Sequence, residues 1–142
     1  MGAMECCHKQ GIIHRDLKLE NVLFESKARC RIKVVDFGIA GMVKGGRGEE
    51  NNAATLRYMT PEMVASYMST ASPAMDIWAI GVMLYSMIFL KFPFGGKDRQ
   101  AIKDAILNKE AKIPKDFPCT SELIDFLNGC LQKDPAKRIT IL

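Results

Sequence analysis

The sequence of 142 residues predicts a mainly α-helical fold carrying one short β-hairpin. Three observations support this. Ile77 to Leu90 is a fourteen-residue apolar run that includes Gly81, Tyr85 and Ser86; it is too short to cross a bilayer and suits a buried helix. Ile102, Ala105 and Ile106, and then Leu123, Ile124, Leu127 and Leu131, fall at helical spacing. Finally, the apolar triplet Val22-Leu23-Phe24 precedes a turn at Lys27-Ala28-Arg29, after which Cys30, Ile32 and Val34 alternate with Arg31 and Lys33. A period of two reads as a strand, so the two segments pair as a hairpin.

The remaining elements follow in order. Residues 3–9 read as the last turns of a helix that Gly11 ends in the left-handed conformation. A polar loop, 14–21, enters the hairpin, and Asp36 leaves it. Five glycines and a polar run over 38–52 predict a loop; their spacing matches no phosphate-binding pattern and no strand leads into them. Ser72 as N-cap and Pro73 at the first position start the long apolar helix. Phe92-Pro93-Phe94-Gly95-Gly96 is a turn, Lys112-Ile113-Pro114 breaks the chain, and Thr120-Ser121 caps a further helix.

Composition narrows the function. The net charge of +4 comes from 20 basic and 16 acidic residues, with ten and eight in each of 1–71 and 72–142. Without a basic run or an asymmetry, nucleic-acid binding is not expected. The five cysteines (Cys6, Cys7, Cys30, Cys119 and Cys130) are odd in number and form no C-x-x-C pair. Free thiols in a reducing compartment, cytoplasmic or nuclear, are expected. No signal peptide or membrane span is read. Met1-Gly2 invites lipidation, but Cys6 stands where a Ser or Thr is needed.

The chemistry gathers at Asp16, Lys18 and Asn21, three polar residues within six positions that cannot all enter a core. The hairpin carries Asp36 back towards them. Oxygen ligands such as Asn21 and Asp36 suit magnesium, a hard cation that bridges phosphates. Lys18 can offset charge on a transferring phosphoryl group, and Asp16 can accept the proton of an attacking hydroxyl.

His14-Arg15-Asp16-Leu17-Lys18-Leu19-Glu20-Asn21, followed by Asp36-Phe37-Gly38, resembles the catalytic loop and metal-binding motif of eukaryotic protein kinases. Thr55-Leu56-Arg57-Tyr58-Met59-Thr60-Pro61-Glu62, Asp76-Ile77-Trp78-Ala79-Ile80-Gly81 and Pro135-Ala136-Lys137-Arg138-Ile139 extend the resemblance over nearly the whole chain. Two departures are Ala54 for a glycine and Thr60 for an alanine. The resemblance implies the C-terminal lobe of a Ser/Thr kinase of the α+β kinase fold, with the N-terminal lobe absent. Residues 12–24 would be the catalytic loop, 36–62 the activation segment and about 73–90 the central helix. Phe92-Pro93-Phe94-x-Gly96 gives it a calcium/calmodulin-dependent kinase-like flavour.

Several roles come only from this resemblance. ATP and Mg2+ would be the cofactors, with Lys18, Asn21, Leu23 and Asp36 at the nucleotide and Asn21 and Asp36 on the metal. Leu23 would lie under the adenine, above a column based on Met83 and Met87, which with Trp78 are read as core. His14 would pack beneath Phe37. Arg15 would receive a loop phosphate, Thr55 would bond Lys18 and Asp16, Glu62 would pair with Arg138, and Asp76 would bond the backbone around Arg15. Glu20 would meet an arginine of a protein substrate, and Ser86 stands where some relatives place a second carboxylate. No Ser or Thr lies between Gly38 and Thr55; Asn51 stands where the activating phosphate is usually carried, and Glu49 or Glu50 would substitute for it.

The Gly-rich phosphate loop, the strand lysine and its partner glutamate do not occur in the sequence. The isolated chain is therefore expected to be inactive and to self-associate through an uncovered apolar face. A non-catalytic binding or scaffold module is the alternative; the intact set of Asp16, Lys18, Asn21 and Asp36 argues against it. A small-molecule phosphotransferase is disfavoured by the Thr60-Pro61-Glu62 segment and the Asp76 helix.

Overall fold

A computed structural model describes residues 2–26, 31–37, 53–66, 70–114 and 116–141. Helix α1 is Gly2–Lys9, and Gly11 follows it at φ 71°, the left-handed geometry that ends a helix cheaply in glycine. A single 3-10 turn, Leu19–Asn21, leads into β1 (Val22–Phe24), which pairs antiparallel with β2 (Ile32–Val34). Their register sets Val22 opposite Val34 and Phe24 opposite Ile32. Val22 and Val34 pack against the core at one end of this two-stranded ribbon, while Leu23, Phe24 and Ile32 are all exposed. The alternation predicted the strand correctly, but it did not make Ile32 a core residue.

Two short helices, α2 (Ala53–Leu56) and α3 (Pro61–Ala65), precede α4 (Pro73–Phe89), the longest element. Thr60 caps α3 by accepting the Met63 N–H at 3.2 Å. Ser72 occupies the cap position of α4 but makes no side-chain cap bond, so Pro73 and the chain direction, not a serine cap, mark that helix start. Asp98 caps α5 (Arg99–Asn108) through the Ala101 N–H at 2.8 Å, and Thr120 caps α6 (Ser121–Cys130) through the Leu123 N–H at 3.3 Å. A final 3-10 turn covers Pro135–Lys137.

Helix α4 is apolar on nearly every side because other elements surround it. Met75, Ile77, Trp78, Ala79, Val82, Met83 and Tyr85 are buried, and α6 packs across Gly81. Trp78 stacks on Phe94 with centroids 5.2 Å apart and planes 7° apart. Among the described residues its indole N–H has no hydrogen-bond partner. Met87, expected in the core with Met83, is instead 55 % exposed in the last turn of α4. No helix among the described residues is long and apolar enough to cross a membrane.

Candidate functional site

The polar loop is fixed from below by Asp76, in the first turn of α4. One carboxylate oxygen accepts the His14 N–H at 2.9 Å and contacts the His8 ring at 2.8 Å; the other accepts the Arg15 N–H at 2.8 Å. Asp76 is 1 % exposed, so these three partners are what make its burial tolerable. Arg15 sits at φ 71°, a conformation costly to a residue with a Cβ. The Asp76 bonds to two successive amides hold the chain there. His8 had no motif to betray it; position gives it a role, since α1 ends beside the start of α4.

Above this anchor the reactive groups meet. Lys18 Nζ donates to an Asp16 carboxylate oxygen at 2.8 Å, and the neighbouring carboxylate holds the Lys18 ammonium above its ordinary pKa. The Asn21 amide donates to the Asp16 carbonyl at 2.8 Å and reaches the same carboxylate at 3.3 Å. Asn21 is buried, while Asp16 and Lys18 keep partial exposure, which suits groups that must meet a ligand.

Asp36 arrives through the hairpin. The Val35 N–H bonds the Asn21 carbonyl at 2.9 Å, and the Val35 carbonyl contacts the His14 ring at 3.0 Å. Asp36 is at φ 63°, turning the chain directly after the strand. It acts on the Lys18 charge, together with Asp16 and Glu20. Phe37 rests against the buried His14 ring with centroids 4.5 Å apart and planes tilted by 56°.

With the Asn21 amide nitrogen committed to Asp16, its oxygen is the atom left for a cation. Asn21 and Asp36 both carry oxygen donors of the kind magnesium takes. Among the described residues no cluster of three or more His, Cys, Asp or Glu could hold a metal by itself. Leu23, on β1, is 49 % exposed and open to a ligand.

Other predicted residues lie further out. Glu20 is exposed on the 3-10 turn. Thr55 is half-buried in α2 and, among the described residues, makes no hydrogen bond to Lys18 or Asp16, which are bonded to each other instead. Ser86 bonds back to the Val82 carbonyl at 2.8 Å. Arg138 grips Glu62 through two nitrogens, at 2.7 and 2.6 Å. Gly38, Glu49, Glu50 and Asn51 lie outside the described residues.

Comparison with known proteins supplies the family. Residues 1–142 match the protein kinase domain family. The chain is 40 % identical over 138 residues to a protein of Dictyostelium discoideum named as a probable serine/threonine-protein kinase, covering 96 % of this chain and 29 % of that protein. It is 36 % identical over 141 residues to the mitosis inducer protein kinase cdr1 of Schizosaccharomyces pombe, covering 99 % and 23 %. With calcium-dependent protein kinase 8 of Arabidopsis thaliana it shares 34 % identity over 140 residues, covering 96 % and 26 %. The chain spans less than a third of the length of each of these three relatives. A match along its whole length makes this chain a member of the protein kinase family.

Proposed function

We propose that residues 1–142 form the C-terminal lobe of a Ser/Thr protein kinase and supply the acid–base and metal-binding half of its phosphoryl-transfer site. The observation that carries this is the Asp16–Lys18–Asn21 cluster, hydrogen-bonded within itself and seated on Asp76. Asp16 orients and accepts the proton of a protein hydroxyl, and Lys18 balances charge beside it. Asn21 and Asp36 would hold Mg2+, and Leu23 would lie under the adenine of ATP. Bound magnesium with ATP supplies the transferable phosphoryl group and neutralises its charge. Glu20 and Thr55 face the protein substrate, with Glu20 recognising one arginine N-terminal to the acceptor. Residues 12–24 act as the catalytic loop and 36–62 as the activation segment. The relatives include a CDPK-related protein kinase and a calcium-dependent protein kinase, which is in keeping with a calcium/calmodulin-dependent kinase-like flavour.

A polypeptide of these residues alone has no Gly-rich phosphate loop and no strand lysine to fix the nucleotide. Phosphoryl transfer depends on such positioning. Exposed Leu23, Phe24, Ile32 and Phe37 also leave apolar surface open to self-association. The test compares 1–142 with a full-length protein containing it. In the full-length protein, Asp16→Asn and Asp36→Asn each lower kcat at least ~100-fold. The isolated segment binds Mg-ATP very weakly by calorimetry, transfers no radiolabel above its Asp16→Asn control, and elutes larger than a monomer. Normal turnover in either full-length variant overturns the role assignment; micromolar ATP affinity of the segment overturns the need for further positioning groups.

A further inference from the structure

The turn between α2 and α3 is tight: the Tyr58 and Met59 N–H groups bond back to the Thr55 and Leu56 carbonyls at 3.1 Å. Leu56 and Tyr58 enter the core, and Arg57 between them is left half-buried. Its guanidinium carbon lies over the Phe92 ring, 5.0 Å from the centroid. Phe92 is itself fixed. It packs against the core, and the Tyr58 ring meets it edge-on, with centroids 5.5 Å apart and planes at 86°. The Tyr58 hydroxyl is hydrogen-bonded to the backbone of Leu19, and the charges of Glu20 and Lys18 act on it. Arg57 therefore sits on an aromatic platform beside the loop that carries Lys18 and Glu20. Arg31 and Arg138 each face a carboxylate. Among the described residues Arg57 faces none, and the Phe92 ring is its contact. Stacking occupies the flat face of a guanidinium, whereas its five N–H donors lie in the plane of the group and stay available.

We propose that Arg57 is a specificity-determining residue that takes one anionic side chain of the protein substrate, a carboxylate or a phosphate. The inference rests on the reading of this chain as the substrate-facing lobe of a protein kinase. A guanidinium suits the task because two parallel N–H groups match two oxygens of either anion. The Phe92 face favours the cation and restricts its rotamers, so less freedom is lost when the anion arrives. The ring also keeps water from one side of the guanidinium, which strengthens the pairing relative to a freely hydrated charge. Glu20 and Arg57 carry opposite charges near the same tyrosine and form no ion pair with each other among the described residues. Together they select a substrate with an arginine at one position and an acid at another.

The test uses the full-length protein and peptides that share a serine acceptor and one arginine N-terminal to it. Glutamate, phosphoserine or glutamine is placed at each remaining position in turn, and kcat and KM are measured for each peptide. At one position glutamate is expected to raise kcat/KM about fivefold over glutamine, through KM, and phosphoserine to raise it further by its greater charge. A gain with phosphoserine alone assigns Arg57 to substrates that are already phosphorylated. In Arg57→Gln the ratio at that position falls to about one, and in Arg57→Glu lysine becomes the favoured residue there. Arg57→Lys keeps only part of the preference, since an ammonium lacks the fork. Each ratio is taken on one protein, so a loss of folded material does not alter it. The proposal is overturned if the unaltered protein prefers an acid at no position, or if the preference survives in Arg57→Gln. Absence of transfer to every peptide, those with glutamine included, would overturn the kinase reading itself and the proposal with it.

Discussion

Arg138 and Glu62, 76 residues apart in sequence, form a two-pronged ion pair with N···O distances of 2.7 and 2.6 Å. The Arg138 side chain is fully buried and also donates to the carbonyls of Ala74, Gln132 and Lys133. One guanidinium thus ties the start of α3, the start of α4 and the segment after α6.

Removing only one partner should be costly, because Glu62 is left in place without its counter-charge. Arg138→Leu is expected to destabilise the fold by about 3 kcal/mol, in the range for breaking a buried pair. Arg138→Lys should fall between, since an ammonium cannot make the same fork. Urea unfolding checks both, and equal stability of all three proteins would refute the structural role of the pair.

Gly81 lies where α6 packs on α4. A Cβ built there lies 2.6 Å from the Cβ of Cys130 and 3.1 Å from Leu131. Gly81→Ala is expected to cost about 2 kcal/mol through overpacking. Gly95→Ala meets nothing within 4 Å and serves as the control, changing stability by less than about 0.5 kcal/mol. Thermal unfolding distinguishes them.

Leu90 closes α4 at φ 53° and is 90 % exposed. It has a left-handed backbone and almost no burial to offset the strain. Leu90→Gly should therefore stabilise the protein by roughly 0.5–1 kcal/mol, the glycine's greater freedom when unfolded being the opposing effect. A loss of stability on this change would show that the leucine side chain contributes more than its exposure suggests.

Stability should also report Lys133. Loss of hydration pushes its ammonium down to about 8 from an ordinary 10.5, so between those values the unfolded chain binds more protons than the native one. Stability from this group consequently rises with pH across that window and is lower below it. Lys133→Met should flatten the slope. An unchanged slope in denaturant titrations at several pH values would show that the group titrates normally.

Local pattern was enough for much of the fold. The hairpin follows from alternation, α4 from an apolar run bounded by Pro73, and Gly11 from the chemistry of a helix end. The grouping of Asp16, Lys18 and Asn21 was also legible, because residues within six positions share one loop whatever surrounds them. The hairpin then delivers Asp36, since antiparallel pairing returns the chain to its starting edge. The partners of Asp76 and Arg138 came from family resemblance; nothing local marks either as buried.

Other features needed the assembled chain. His8 reads as a helix-end surface residue, yet it closes on Asp76 because α1 ends beside α4. Met87 has the spacing of a core residue but is exposed, and Ile32 shows that alternation specifies a strand without specifying a cover. Lys133 looks like any surface lysine until Phe94, Trp78 and Ile106 converge on it. Spacing along the sequence encodes dihedral angles and the faces of single elements, which are set by near neighbours. Burial, ion pairing and proton affinity depend on groups tens of residues away, and only tertiary packing brings them within a few ångströms.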